Sequence, residues 1–293
     1  APIRRIRQRL RHTGRMTTPL EGPLADSESG LWIPGSLARP GTVTGTVPAG
    51  FEAYARIFHP VHARLMEWDR DYPVPVQSRT MQWRDLAETR GTLAHPLMQW
   101  NSILAGYRNP VWNEPGWQYE DPLVGALAAG CLAEVVRILS SHTDSPSACI
   151  AGLWEGWGWV SGAAVNVTVD SEGHTYEESL PPPFHQDTVA GAARLELPGR
   201  KYLLFNADLA VFTEPGWHEA SGWDVLQSPN LLWPEDRAWF LASEIDMDST
   251  IVGGSAALIE QLVHSGSVEA LPVPADGDLT HQGDVLNERP DWQ

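Results

Sequence analysis

Lysine is almost missing from this chain: Lys201 is the only one, so 19 of the 20 basic residues are arginine. With alanine, glycine and proline abundant, that bias reads as translation from a GC-rich gene rather than as selection for a function. Cysteine is nearly as scarce. Cys131 and Cys149 sit in helix-like and strand-like apolar surroundings, too few for a disulfide scaffold, and a reducing cytoplasm is expected. No run of about 18 apolar residues exists, which excludes a membrane-spanning helix. A glycine-rich phosphate loop, a Gly-x-Ser-x-Gly elbow and a Cys-x-x-Cys pair are all missing, and no cofactor is implied.

Positive charge is missing from most of the chain. Arg4, Arg5, Arg7, Arg9, Arg11 and Arg15 fall in the first fifteen residues, where there is no acid. Residues 16–293 therefore hold 20 − 6 = 14 basic groups against 37 acidic ones, a net charge of −23. Such a body repels nucleic acid and anionic membranes. Because Met16 with Thr17, Thr18 and Pro19 resembles a natural start, the basic leader is expected to be upstream sequence or a tail rather than a nucleic-acid arm or surface helix. At 293 residues the chain is long enough to bury a sizeable core.

Residues 1–46 read as the basic leader and an extended, partly disordered, Pro/Gly/Ser/Thr-rich lead-in, 47–274 as one α+β domain, and 275–293 as an acidic polar tail. Phe51, Tyr54, Ala55 and Phe58 have helical spacing, with Pro60 as a break. Short helices are expected over 83–89, stopped by Gly91, and over 96–104; 109–116 is a loop. Asp121-Pro122 has the form of an N-cap followed by proline at the first helical position, and predicts a helix to Ser140 or Ser141. Strands follow at 149–160 and 163–169, then a turn at 171–173 and a long loop over 176–193. Segments 202–205 and 209–212 read as one strand with a bulge, and 213–227 as a loop.

The best-punctuated stretch is 228–274. Trp239 to Asp246 reads as a strand apolar on both faces, hence covered. If it stayed extended, Glu244, Asp246 and Asp248 would stand in a row at roughly 6.6 Å steps. Ser255 is a fitting N-cap for a helix over 256–264 with Leu258, Ile259 and Leu262 inward, ended by Gly266. A strand over 268–273 completes a unit expected to be a parallel pair with a right-handed crossover.

Four constellations point toward chemistry. Asp246-Met247-Asp248-Ser249-Thr250 after an apolar strand resembles the first motif of haloacid-dehalogenase-type phosphatases, but the downstream lysine and acidic pair are missing. Glu244 with Asp246 has the makings of a paired-carboxylate glycoside site. His185 and Asp187 form the His-x-Asp of a facial iron triad, with His218 or His264 as third ligand. His59, His62 and His95 are considered as zinc ligands, although prolines after His59 and His95 favour structural use. The 14 tryptophans stand out. Trp154, Trp157, Trp159 and Trp233, with Arg237, are the binding candidates, since tryptophan contributes large area and one donor at low entropic cost. The competing expectation is that most rings fill the core and Arg237 pairs with an acid.

The strings VPAGFEAYARIFHP (47–60), LWEGWG (153–158), LPGRKYLLF (197–205), SPNLLWPEDRAWFLASEID (228–246) and VGGS (252–255) resemble a family of uncharacterised actinobacterial proteins. The resemblance spans most of 47–273 and implies a single cytoplasmic bacterial domain; it brings no catalytic residues with it. The fold expected is α+β, with a mixed sheet in the C-terminal half and helices from the N-terminal half packed on it. The function expected is a non-catalytic, immunity-like protein that holds a basic protein partner on an acidic, tryptophan-rich surface. The alternative is a metal-dependent or glycoside-type hydrolase using Glu244, Asp246 and Asp248.

Overall fold

The computed structural model describes residues 20–70, 72–104, 106, 115–161, 165–169, 174–179, 183–214 and 228–288. The leader, most of the 109–116 segment, the 171–173 turn and all but the first residues of the 213–227 loop lie outside them. In chain order, helix α1 (Val43–Thr46) precedes strands β1 (Ala53–Phe58), β2 (Val61–Asp69) and β3 (Tyr72–Met81). Helices α2 (Trp83–Arg90) and α3 (Trp100–Ile103), strand β4 (Gly116–Tyr119), helix α4 (Ala129–Ser140) and strand β5 (Cys149–Trp154) follow. Next come α5 (Gly158–Ser161), β6 (Val165–Val169), β7 (Thr175–Ser179), α6 (Gln186–Gly191), β8 (Leu195–Leu197) and β9 (Arg200–Ala207). The last elements are β10 (Leu231–Pro234), β11 (Phe240–Ala242), β12 (Ser249–Gly254), α7 (Ala256–His264) and β13 (Ala270–Pro272). The class is α+β.

Eight strands form the main sheet in the order β13-β1-β12-β11-β10-β5-β9-β8, and all its neighbouring pairs are antiparallel, so the mixed sheet expected in the C-terminal half is instead antiparallel and takes in β1 from the N-terminal half. One face is covered by α4 and α7. Leu132, Val135, Val136 and Leu139 of the first, and Leu258, Ile259 and Leu262 of the second, pack against Ile57, Ala151, Leu153, Phe205, Leu241 and Val252. Each such aliphatic side chain contributes about 1.5–3 kcal/mol by leaving water. Trp239 lies in the same layer and donates its indole N–H to Leu139 O at 3.1 Å. Phe58, Trp83, Leu86, Met98, Trp100 and Tyr119 make a separate cluster between α2, α3 and the small sheet β3-β2-β4.

The other face of the main sheet is covered by coil and the one-turn helix α1. Ile33, Val43 and Val47 from the beginning of the described chain, and Val273 and Leu279 from its end, close over Tyr54, Tyr202, Leu231, Trp233, Phe240 and Ile251. Residues 20–46 of the expected lead-in and 275–288 of the expected polar tail are thus packed on the sheet, while 1–19 and 289–293 lie outside the described residues. The two segments bond to one another: Val43 N donates to Gly277 O, Thr44 N to Ala275 O and Leu279 N to Gly41 O. Asp284, fully buried, accepts from Gln99 N at 3.0 Å, Asn287 N at 3.0 Å and His95 Nε2 at 2.8 Å, pinning the last turn to the 93–99 segment. Isolated apolar residues, each with a place on the sheet, overrode a polar composition.

Other differences have local causes. β1 stands where helical spacing was expected, because AYARIF is buried at nearly every position and belongs in the middle of a covered sheet. Helix α7, its Ser255 cap (Oγ accepts from Leu258 N at 3.2 Å) and the φ +69° Gly266 after it match the reading. Of the strand expected over Trp239 to Asp246 only β11 forms; the strand feeding α7 is β12, and β12 and β13 run parallel with β1 inserted between them, so the expected paired unit is not formed. Helix α4 starts eight residues after Asp121, because the backbone before it is bonded elsewhere. Gly125 N donates to Met247 O, and Leu127 N to Ser228 Oγ. Gly125 itself has φ +74°, and a Cβ there would stand 2.8 Å from Ile245 O. Residues 209–213 form a 3-10 turn rather than a strand, α5 occupies the end of the segment expected as a strand over 149–160, and the 176–193 loop contains part of β7 and all of α6.

Candidate functional site

Arg56 is the one charged residue of β1, and its side chain is 1% exposed. Burying a guanidinium is costly unless its donors are met and its faces covered. Here its Cζ lies 4.7 Å over the Phe58 ring and 5.8 Å from that of Trp83. Nε donates to Ser249 Oγ at 2.9 Å, and Nη1 to Met98 O at 2.9 Å and Pro96 O at 3.3 Å. Burial lowers its pKa to about 10, with Asp248 and Asp284 pulling the other way. Nη2 has no hydrogen-bond partner among the described residues; its nearest anion is Asp248 Oδ1 at 3.6 Å, too far for a hydrogen bond.

Arg56 and Asp248 share a cavity of about 540 Å³ on the coil-covered face of the sheet. Its floor is the start of β10, the turn between β11 and β12, and the β8–β9 hairpin; its cover is the coil around Gly41 and Leu279. The turn explains the acids. Asp246 N donates to Glu244 Oε2 at 2.7 Å and Met247 N to Glu244 O at 3.0 Å, so the chain curls after Ala242. Glu244, Asp246 and Asp248 therefore do not form an extended row facing solvent, which corrects that expectation; they converge on the cavity wall.

Arginines balance them. Arg200 Nε donates to Glu244 Oε1 at 2.9 Å, and Arg200 Nη2 bonds Asp246. Burial works against the Arg200 charge, but Glu244 and Asp246 outweigh it and raise its pKa. Both Glu244 oxygens are thus engaged, and Asp246 sits at the rim, 74% exposed. Burial raises the pKa of Asp248 against the pull of Arg56. Tyr202, 3% exposed, lines the cavity without a hydrogen-bond partner among the described residues. Burial raises its pKa, with Glu244 adding to the effect.

The tryptophans are elsewhere. Trp233 is 1% exposed and stacks on Phe240 at 5.5 Å; Trp159 is buried beside Phe184. Trp154 and Trp157 are half-buried, edge to face at 5.4 Å, with Trp157 Nε1 donating to Asn230 Oδ1. None lines the cavity with the acids, so the acidic and aromatic candidates do not make one surface. Arg237, at φ +54°, rests 4.9 Å over Trp32 rather than on an acid. With Trp233, Glu21 and Glu235 it lines a second cavity of about 610 Å³.

His185 and Asp187 are exposed at the start of α6, and His264 Nδ1 bonds Glu260 O. His218 lies outside the described residues. His59, His62 and His95 have separate partners. His59, fully buried, donates from Nδ1 to Leu123 O (2.6 Å) and accepts at Nε2 from Thr250 (2.8 Å), and burial lowers its pKa to about 4. Among the described residues no group of three or more His, Cys, Asp or Glu side chains is placed to hold a metal ion.

Sequence reasoning found the acids and missed Arg56, Arg200, Tyr202 and the covering coil. A lone arginine inside the apolar run AYARIF was the available signal. Compared with protein-family models, curated proteins and solved structures, the chain matches none. No helix among the described residues is long and apolar enough to cross a membrane.

Proposed function

We propose that this is a binding protein that holds a small polar molecule in the Arg56–Asp248 cavity without breaking a bond in it. The observation that carries the reading is the open pair itself: a buried guanidinium, fixed on three sides, with Nη2 facing a carboxylate it does not reach, in a cavity also lined by the Tyr202 phenol, which has no hydrogen-bond partner among the described residues. A volume of about 540 Å³ falls within the roughly 300–1,000 Å³ of small-molecule sites. What supports binding over hydrolysis is the state of the acids. Glu244 has both oxygens engaged and Asp246 is bridged to the same guanidinium, whereas glycoside hydrolysis requires two working carboxyls.

Screening polar metabolites by thermal shift, with Tyr202→Phe and Asp248→Asn alongside the native chain, tests this. Binders weakened by both substitutions are expected. A screen without binders, binders indifferent to both changes, or turnover of a bound compound would refute the reading. A basic protein partner on another face is the second reading, favoured by the net charge of 37 acidic against 14 basic groups over residues 16–293. A salt-sensitive partner in pull-downs would support it.

A further inference from the structure

The unused hydrogen-bonding groups of the cavity define a ligand class, given that the cavity is a small-molecule site. Arg56 Nη2 offers two N–H donors, since Nε and Nη1 are already engaged. Asp248 offers acceptors 3.6 Å away. Gln99 donates through Nε2 to Leu97 O and Leu279 O, which leaves Oε1 as an acceptor with no bond among the described residues. Tyr202 offers a hydroxyl that both donates and accepts. All four residues line the same cavity, Arg56 and Tyr202 on strands five places apart in the sheet.

Charge narrows the choice. Inside the cavity Arg56 offsets Asp248 and Arg200 offsets Glu244, while the remaining acid, Asp246, is mostly in water. A charged ligand finds no surplus counter-charge there. A neutral one receives charge-assisted hydrogen bonds without disturbing the pairs. For a flat base to stack on, the described lining has one buried ring, Tyr202, and one exposed ring, His281. We infer that the ligand is a neutral polyol, a monosaccharide, disaccharide or cyclitol, in which one of two adjacent hydroxyls accepts from Arg56 Nη2 and the other donates to Asp248. Tyr202 and Gln99 take further hydroxyls, and Leu37, Leu231 and Met247 meet the C–H face.

The test is ligand-observed NMR with thermal shift on the full chain, in three arms. Glucose, sucrose and myo-inositol form the first, alanine, glutamate and arginine the second, and uracil the third. A polyol is expected to bind, to raise the melting temperature at millimolar concentration, and to lose about 3- to 10-fold in affinity with Tyr202→Phe and about tenfold or more with Asp248→Asn. Tyr202→Phe removes a single oxygen, so it serves even where Asp248→Asn, which unpairs Arg56, fails to fold. An amino acid or uracil that binds instead, with the same sensitivity to Tyr202→Phe, overturns the ligand class and leaves the small-molecule reading standing. Polyol binding indifferent to Tyr202→Phe overturns the assignment to this cavity, and silence in all three arms overturns both readings.

Discussion

Replacing His59 by glutamine removes a buried imidazole that the fold keeps neutral, and the consequence has a sign and a size. In the native state burial holds its pKa at about 4, against an ordinary value of 6.5 in the unfolded chain. As pH falls below 6.5 the unfolded chain takes up a proton there and the folded chain does not, so the stability present above 6.5 is lost between 6.5 and about 4. The slope in that window is about 1.4 kcal/mol per pH unit, which makes the loss at pH 5 about 2 kcal/mol. Asp248 and Glu269, whose pKa values burial raises, work in the opposite direction but are present in both proteins. His59→Gln leaves Leu123 O and Thr250 with poorer partners, so at pH 7 the variant is expected to be about 1–3 kcal/mol less stable. Urea unfolding of both proteins at pH 7, 6 and 5 measures the gap, expected to narrow by about 2 kcal/mol. Parallel curves, or a gap that widens, would refute the neutral-imidazole argument.

Gly125→Ala forces a Cβ against Ile245 O at φ +74° and is expected to destabilise by about 1–3 kcal/mol, read as a fall in urea midpoint. Asp284→Ala strips Gln99 N, Asn287 N and His95 of a buried acceptor, and a loss of about 2–4 kcal/mol with faster proteolysis within 275–288 is expected. Burial pushes the Cys149 thiol up to about 12 and also raises that of Cys131, which is only partly covered. Thiol labelling at pH 8 is expected to reach Cys131 first and Cys149 only on unfolding, as mass spectrometry of timed samples would register.

How far the sequence carried the structure depended on how local the cause was. Ser255, Leu258, Ile259, Leu262 and Gly266 defined α7 because a cap, an apolar stripe and a terminator all lie within one helix length. β1 was misread because it is a central strand with both faces covered, Ala55 and Ile57 by the α7 layer and Tyr54 by the coil-side segments, which erases the alternation that marks a strand. The start of α4 was misplaced because Asp121-Pro122 looks like a helix start, while Met247 O and Ser228 Oγ hold the backbone in another path. The acids of the site were visible as a cluster. Their partners were not, since Arg200 bonds Glu244 and Arg56 faces Asp248 only through the tertiary fold, which no spacing announces. Composition misjudged the coil over the cavity: a few apolar residues with seats on the sheet, such as Ile33 and Leu279, order a stretch otherwise rich in proline, glycine and acid.

The insertion of β1 between β12 and β13 has a consequence for how the protein is made. Ala55 finds its two cross-strand neighbours in Val252 and Pro272, both far along the chain, so an early strand apolar on both sides leaves the ribosome long before either flank exists. Until then the nascent chain carries an open hydrophobic ribbon, a natural client for chaperones.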